Sequence, residues 1–561
     1  MKASTHLPIL FRRIFSSELL YILIIGTSIR VALAGTRSFF GDESSTLRII
    51  CLPITYILTH FDLWQTMNFY LVLEKIIARV LGDGLLAMRL ISILADVGSI
   101  VTIYFLSGRI FPQTPRYIAV TLYAINPHLI DFSATARVYS LFVFLALLTI
   151  LAFLAWYNHP KTRWRLAFSI LCCIMLLFHL GGSFLIVWFG CMVAVHLAIT
   201  AYKKNFFKEQ LQEALRLLAT LLLCISPAIV YYGMMWNQIR EHNAFEYKDA
   251  DFGLVQQIPA ILKIFIGIEI PWLLSLCAIL AVLGLLNLTL HHRHWGTYFS
   301  LLLLLPFVIS KALGYSYPPH YLARFIIFVM PVVILCLAWG IALISSCAPL
   351  RMQQWVRLLC VAGIIASATP KIIALFDSER VFPYRHTARF LKQQLAEQDK
   401  ILCDGFFIFL HLSCYFPCSN RSFETRCSAP DLIIEKNLET HLQRNHNGRL
   451  FLVTISPQVA ECGTVVGTFG KLLVSVLPEE SREARMQRMI SCWSTDAEAF
   501  SPDIDCSKAN LYDLLRQIYA AQGATDASVY YADAVKKCFQ ERESRWLQKF
   551  GATKGKNLRT E

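Results

Sequence analysis

Apolar runs of roughly 17–25 residues, the length a helix needs to cross a hydrocarbon core, recur through the first two thirds of the chain. Their pattern predicts about eleven transmembrane helices, near 15–35, 85–106, 115–132, 138–157, 166–181, 183–201, 214–235, 266–290, 296–313, 324–345 and 353–375. Barrel strands would be shorter and would alternate apolar with polar positions, so the expected fold class is an all-α polytopic membrane domain. Between the first two spans, residues 36–84 are too long for a plain connector. Within them, Ser44 to His60 and Asn68 to Leu81 have helical apolar spacing without spanning length, and read as interfacial helices. After about 376 the pattern changes to that of a separate α/β domain, 376–561, following a transmembrane domain, 1–375. There a helix is expected over His386–Gln398, strands over Lys400–Cys403, Leu450–Ile455 and Lys471–Val476, and a helix over Leu511–Ala521.

Charge orients this array. Arg12/Arg13, Arg109/Arg116, Lys161/Arg163/Arg165, Lys203/Lys204/Lys208, Arg293 and Arg351/Arg357 all fall in alternate short loops, which the positive-inside rule places in the cytoplasm. Segments 36–84, 131–137, 236–257, 314–323 and the tail then face outward. The net charge of +14 fits such loops, and no basic stripe on a soluble module suggests nucleic-acid binding. His291, His292 and His294 flank Arg293 and read better as a solvated interfacial loop than as a metal site. Arg12 and Arg13 followed by the first apolar run read as an uncleaved signal-anchor; Arg30 interrupts that run ahead of Ala32-Leu33-Ala34. Of 17 cysteines, those inside apolar runs behave as small hydrophobes. The eight in the tail form no CxxC pair and permit disulfides in an extracytoplasmic domain.

Candidate chemistry gathers on the outward side. Asp42 and Glu43 follow the first span; Asp131, Arg137 and Tyr139 lie at the turn between the third and fourth; His179 ends the fifth; Arg324 starts the tenth, after Tyr321. Ionisable groups at membrane depth are costly and usually face a cavity or a partner. A carboxylate near two arginines suits transfer of a group from a phosphate: the carboxylate takes the nucleophile's proton, and the arginines hold the departing phosphate. Each residue also has a structural reading. Asp42 suits a helix cap, Arg137 and Arg324 suit headgroup anchors, the tyrosines suit an aromatic belt, and Glu74 and Lys75 suit a solvated helix face.

The order of these pieces adds to the argument. Asp42-Glu43 precedes Thr66-Met67-Asn68-Phe69-Tyr70-Leu71-Val72-Leu73, then Leu81-Gly82-Asp83-Gly84 running into Met88-Arg89-Leu90-Ile91-Ser92, then Asn126-Pro127-His128 and Ser133-Ala134-Thr135-Ala136-Arg137-Val138-Tyr139. This succession, over about 36–145, resembles the GT-C membrane glycosyltransferases, and more narrowly the bacterial branch related to protein O-mannosyltransferases and the lipid A aminoarabinose transferase. His320-Tyr321-Leu322-Ala323-Arg324-Phe325 with Pro331 is similar to that family's late element. The resemblance implies a polyprenyl-phosphate-linked sugar as donor and a lipid, glycan or protein acceptor, joined on the outer face of a bacterial cytoplasmic membrane. It implies Asp42, with Glu43, as the catalytic acidic motif, and Arg137, Tyr139 and Arg324 at the donor phosphate. Asn68, Asp131 and Tyr321 are candidates for substrate contact. Metal use varies among relatives; no cofactor is firmly implied, and a divalent ion would draw on His179 and Glu74. Met67-Asn68-Phe69 stands where many relatives carry Pro-Pro-Leu, which leaves the acceptor open. The rival readings are a transporter or flippase for a lipid-linked sugar, using the same arginines without a base, and a membrane assembly scaffold.

Overall fold

The computed structural model describes residues 17–39, 42–60, 67–82, 84–202, 207–238, 254–291, 293–312, 319–381, 384–395, 400–403, 412, 415, 432–434, 450–454, 464–469 and 472–477. It divides into two compact units. One comprises residues 1–37 and 52–376, the other 38–51 and 377–561.

The first unit is helical. The helices are α1 (Ser17–Thr36), α3 (Ile54–Thr59), α4 (Asn68–Leu81), α5 (Leu85–Ile110), α6 (Gln113–Ala124), α7 (Pro127–Ser133), α8 (Tyr139–Asn158), α9 (Thr162–Phe178), α10 (Gly182–Tyr202) and α11 (Phe207–Met234). They continue with α12 (Leu254–Ile266), α13 (Pro271–His291), α14 (Arg293–Ala312), α15 (Pro319–Phe325), α16 (Met330–Ser346) and α17 (Leu350–Val381). Among the described residues seven helices are long and apolar enough to cross a membrane, and this is a multi-pass membrane protein. The segments expected at 183–201 and 296–313 correspond to α10 and α14, which have shorter apolar cores, and the one expected at 266–290 is α13, while α12 is a further short apolar helix ahead of it.

Three expected helices are broken, two of them at proline and the third, 324–345, at Ile326 between α15 and α16. Residues 115–132 divide into α6 and α7 because Pro127 disfavours helical geometry at Asn126, whose ψ of 122° is extended. The Asn126 side chain then accepts from the backbone N–H groups of His128 and Leu129, capping α7. Likewise Ser44–His60 breaks before Pro53, giving α2 (Asp42–Ile50) and α3.

Helix α5 organises the membrane unit, packing against α1, α6 and α8. Helices α13 and α16 also pack closely, with Gly284 and Gly340 lying against the facing backbone. A Cβ at either glycine would collide with a carbonyl, of Cys336 or Leu280. Small residues of this kind let helices approach where lipid supplies no hydrophobic drive.

The second unit contains α2, α18 (Tyr384–Gln394) and a five-stranded sheet of β1 (Lys400–Cys403), β2 (Leu432–Ile434), β3 (Leu450–Thr454), β4 (Thr464–Phe469) and β5 (Leu472–Leu477). Strand order is β2-β1-β3-β5-β4. β1 runs parallel to β2 and β3, and β5 antiparallel to β3 and β4. Tyr384, Ala388 and Leu391 recur at helical spacing on α18 and pack on Ile401, Phe451, Val453, Leu472 and Val474. β2 and β4 are additions to the strands expected from the sequence. The helix expected over Leu511–Ala521 lies outside the described residues.

One buried ion pair ties three helices. Arg30 on α1 and Asp96 on α5 are both fully buried and hydrogen-bonded to each other. Tyr123 on α6 donates to Asp96 at 2.9 Å, and Arg30 also donates to the Gly26 and Ala124 carbonyls. Removing one member of such a pair strands the other charge, whereas replacing both with apolar groups does not. Asp96→Leu is therefore expected to cost about 3–5 kcal/mol in unfolding free energy, and Arg30→Met with Asp96→Leu to recover most of it. Denaturant unfolding of the purified protein checks both.

Candidate active site

The site is built on the carboxyl ends of α1 and α7, the inner face of α4 and the opening of α8. After α7 the chain makes a tight turn, with the Arg137 N–H donating to the Thr135 carbonyl at 2.8 Å, and enters α8 at Tyr139. Arg137 is buried. Its guanidinium carbon lies 5.9 Å from the Tyr139 ring centre. Arg324, from α15, puts its guanidinium carbon 5.7 Å from the same ring. One aromatic ring thus serves two cations from segments far apart in sequence, each within cation–π range.

His179 joins this group. Its ring stacks on Phe142 at 4.4 Å and meets Tyr139 at 6.3 Å and Phe325 at 5.7 Å. Nδ1 accepts from the Gly181 N–H at 3.0 Å, so the neutral ring carries its proton on Nε2. Gly181 has no room for a side chain, because a Cβ would run into the Phe325 carbonyl. That close approach joins the His179 turn to the helix carrying Arg324.

Helix α4 contributes a second polar cluster. Asn68 donates to the His60 carbonyl at 3.2 Å and to the Tyr231 hydroxyl at 2.9 Å. Tyr70 donates to Glu74, one turn on, and lies 3.3 Å from Ser92 Oγ on α5. Ser92 in turn donates to the Arg137 carbonyl at 3.0 Å, linking this cluster to the arginine turn. Burial and the adjacent Glu74 carboxylate push the Tyr70 phenol well above the ordinary tyrosine range, partly offset by Ser92 and Arg137. Tyr70 therefore keeps its proton and its bond to Glu74 through the physiological range.

Glu74 and Lys75 correct the reading of a solvated helix face. Glu74 is fully buried, and Lys75 is 7% exposed with its ammonium donating to the Leu52 carbonyl at 2.6 Å. Asp131 is paired with Arg37, whose other nitrogen donates to the Ala134 carbonyl and the Thr135 hydroxyl. Arg89, also fully buried, donates to the Ala34 and Arg37 carbonyls and so fixes the end of α1. Among the described residues no three His, Cys, Asp or Glu side chains gather into a set that would hold a metal ion. His179 and Glu74 are engaged instead with Gly181 and Tyr70.

Asp42 and Glu43 occupy the first turn of α2, where negative charge suits the helix dipole. Glu43 is fully buried and Asp42 half-buried. This helix belongs to the second unit. The backbone of Tyr321 lies in α15, while its side chain lies outside the described residues.

Comparison with known proteins bears on this arrangement. Residues 69–232 match the sequence profile of the family described as dolichyl-phosphate-mannose-protein mannosyltransferase. The fold is similar to the crystal structure of ArnT from Cupriavidus metallidurans bound to undecaprenyl phosphate, with a TM-score of 0.54 and 12% identity over 82% of this chain and 98% of that one. The apo form of the same enzyme gives 0.52 and 13%, over 82% and 97%. No curated protein matches the chain in sequence. At this identity the likeness to ArnT is one of fold, and the profile match covers part of the chain.

The contact at Gly181 generates a prediction. Gly181→Ala pushes the Phe325 carbonyl, and Arg324 with it, away from Tyr139, and a displacement of this size costs on the order of tenfold to a hundredfold in transfer rate. Rates in membranes matched for protein content check it; an unchanged rate would remove the Gly181 contact from the site.

Proposed function

We propose that the protein transfers a sugar from a polyprenyl-phosphate carrier to a lipid, glycan or protein acceptor on the outer face of a bacterial cytoplasmic membrane. The observation that carries this reading is the convergence of Arg137 and Arg324 on the single ring of Tyr139. Two guanidinium groups gathered around one ring concentrate positive charge there, and an anion bound beside them relieves their repulsion. Guanidinium groups bind phosphate oxygens in a planar fork. The undecaprenyl phosphate bound to the structurally similar ArnT supports a carrier of that kind.

The carrier's tail also has a place to lie. An apolar groove of about 700 Å³ runs between α12, α13, α14 and α16, lined by residues such as Phe265, Leu285, Phe307, Val329 and Val333. Val329 and Val333 follow shortly after Arg324 in the chain, so the groove's wall continues from the segment that carries the cation.

In the reaction, an acceptor hydroxyl or amine attacks the sugar's anomeric carbon. Its proton passes to Asp42, and the bond from that carbon to the phosphate oxygen breaks. The released polyprenyl phosphate gains a negative charge, which Arg137 and Arg324 stabilise as it develops. Tyr139 orients both guanidinium groups. Glu43, buried beside Asp42, supports the acidic turn; Asn68 and Asp131 border the substrates through α4 and the α7 turn. The basic loops support a cytoplasmic amino terminus and an outward-facing tail.

The test is transfer of labelled sugar from polyprenyl phosphate to endogenous acceptors in membranes. Asp42→Asn is expected to lower the rate about 10²- to 10⁴-fold, the usual contribution of a general base. Arg137→Ala is expected to lower it by about 10²-fold or more. Wild-type transfer by Asp42→Asn would remove Asp42 from the mechanism.

A further inference from the structure

We propose that the extracytoplasmic tail is a positioning element for the Asp42 segment, and that Tyr415 is the residue through which it acts. The inference rests on the reading of Asp42 as the base, and adds a role for the domain that follows the last membrane helix.

Residues 38–51 cluster with 377–561 rather than with the helices that flank them in sequence. Two adjacent residues make the attachment. Tyr415 accepts a hydrogen bond on its hydroxyl from the Phe39 N–H at 2.7 Å. The two rings also meet, with centres 5.9 Å apart and planes tilted by 34°. Ser38 Oγ accepts from the backbone N–H of Arg385 at 3.2 Å.

The second bond has a specific cause. Arg385 is in the first turn of α18, where backbone N–H groups lack acceptors within the helix. The residue ahead of that helix in the sequence is Pro383, and proline brings no side-chain acceptor. Ser38 supplies one from more than three hundred residues away, doing for α18 what a capping side chain ordinarily does from the neighbouring position. Both Ser38 and Phe39 are buried, at 3% exposure each.

The consequence concerns the carboxylate. Between the end of α1 at Thr36 and the start of α2 at Asp42 the chain makes a short connection, in which Ser38 and Phe39 are not helical. Left alone, such a connection samples many conformations, and the direction of Asp42 at the head of α2 would vary with it. Fixing Phe39 N–H and Ser38 Oγ removes that freedom just ahead of the carboxylate. A general base acts only within hydrogen-bond reach of the proton it takes, so its orientation enters the catalytic rate more than the affinity for donor.

Tyr415→Phe tests this, because it keeps the ring and removes only the oxygen. The full-length protein in lipid nanodiscs is compared with wild type in two ways. Amide hydrogen exchange is followed over residues 38–51. Transfer is measured with a panel of undecaprenyl phosphates loaded with labelled mannose, glucose, galactose or 4-amino-arabinose, against membrane extract as acceptor. The expected result is at least tenfold faster exchange in 38–51 with the membrane helices unchanged, a 5- to 20-fold fall in kcat, and a donor KM within twofold of wild type. Ser38→Ala is expected to move exchange and kcat in the same direction by less, and serves if Tyr415→Phe does not fold. Wild-type exchange in 38–51 for both variants overturns the proposal, as does a loss of activity carried by KM alone. Asp42→Asn run alongside separates the two claims: if it stays active while Tyr415→Phe is impaired, the base assignment fails and the tail's hold on the segment stands. If Asp42→Asn is inactive and Tyr415→Phe is normal, the positioning claim alone fails.

Discussion

A polar side chain inside a membrane domain must find its partner within the protein, since hydrocarbon offers none. Helix α5 places three such groups, Arg89, Ser92 and Asp96, three to four residues apart along one face. Each draws in a different part of the chain. Arg89 takes the carbonyls that end α1, Ser92 takes the Arg137 carbonyl and meets Tyr70, and Asp96 takes Arg30 and Tyr123. The end of the first helix, helix α4 and the arginine turn are therefore held by one polar stripe. The two cations at Tyr139 can stay together because the backbone beneath Arg137 is pinned to this stripe, and because Gly181 lets the Arg324 helix approach.

Much of this was legible in the sequence where a single physical rule governs. Each of the eleven apolar runs is helical, in whole or in part, because length and hydropathy alone decide whether a segment forms a helix in the bilayer. The break at Asn126-Pro127 follows from the same proline chemistry that makes Asn126 a cap, but the length criterion hid it. In the tail, β1, β3 and β5 are apolar runs dominated by Leu, Ile and Val. β2 has only three residues, and β4 has a bulge near Val465 and Gly467, so neither has the alternation that marks a strand.

The polar clusters were less legible, for a different reason. Periodicity shows that Glu74 and Lys75 lie on a helix; it does not show that Tyr70, Leu52 and α5 cover them. Arg30 reads as an interruption in an apolar run until Asp96, in another helix, completes it. A lone carboxylate in the largely apolar, 26-residue α5 was the available signal, since its cost demands a buried cation somewhere in the fold. Tyr139, by contrast, was found through its motif, and the structure adds that its ring is shared by both arginines. The grouping of Asp42's helix with the tail had no signal in the sequence, because the contacts join Ser38 and Phe39 to residues hundreds of positions away.

The account turns on what lies between Arg137 and Arg324, and a cryo-electron microscopy structure of the full chain in nanodiscs with undecaprenyl phosphate measures that directly. The account predicts phosphate density bridging the two guanidinium groups at the edge of Tyr139, with the prenyl chain along the groove of Phe265, Leu285 and Val329. A headgroup bound elsewhere, with both arginines still resting on Tyr139, would contradict it.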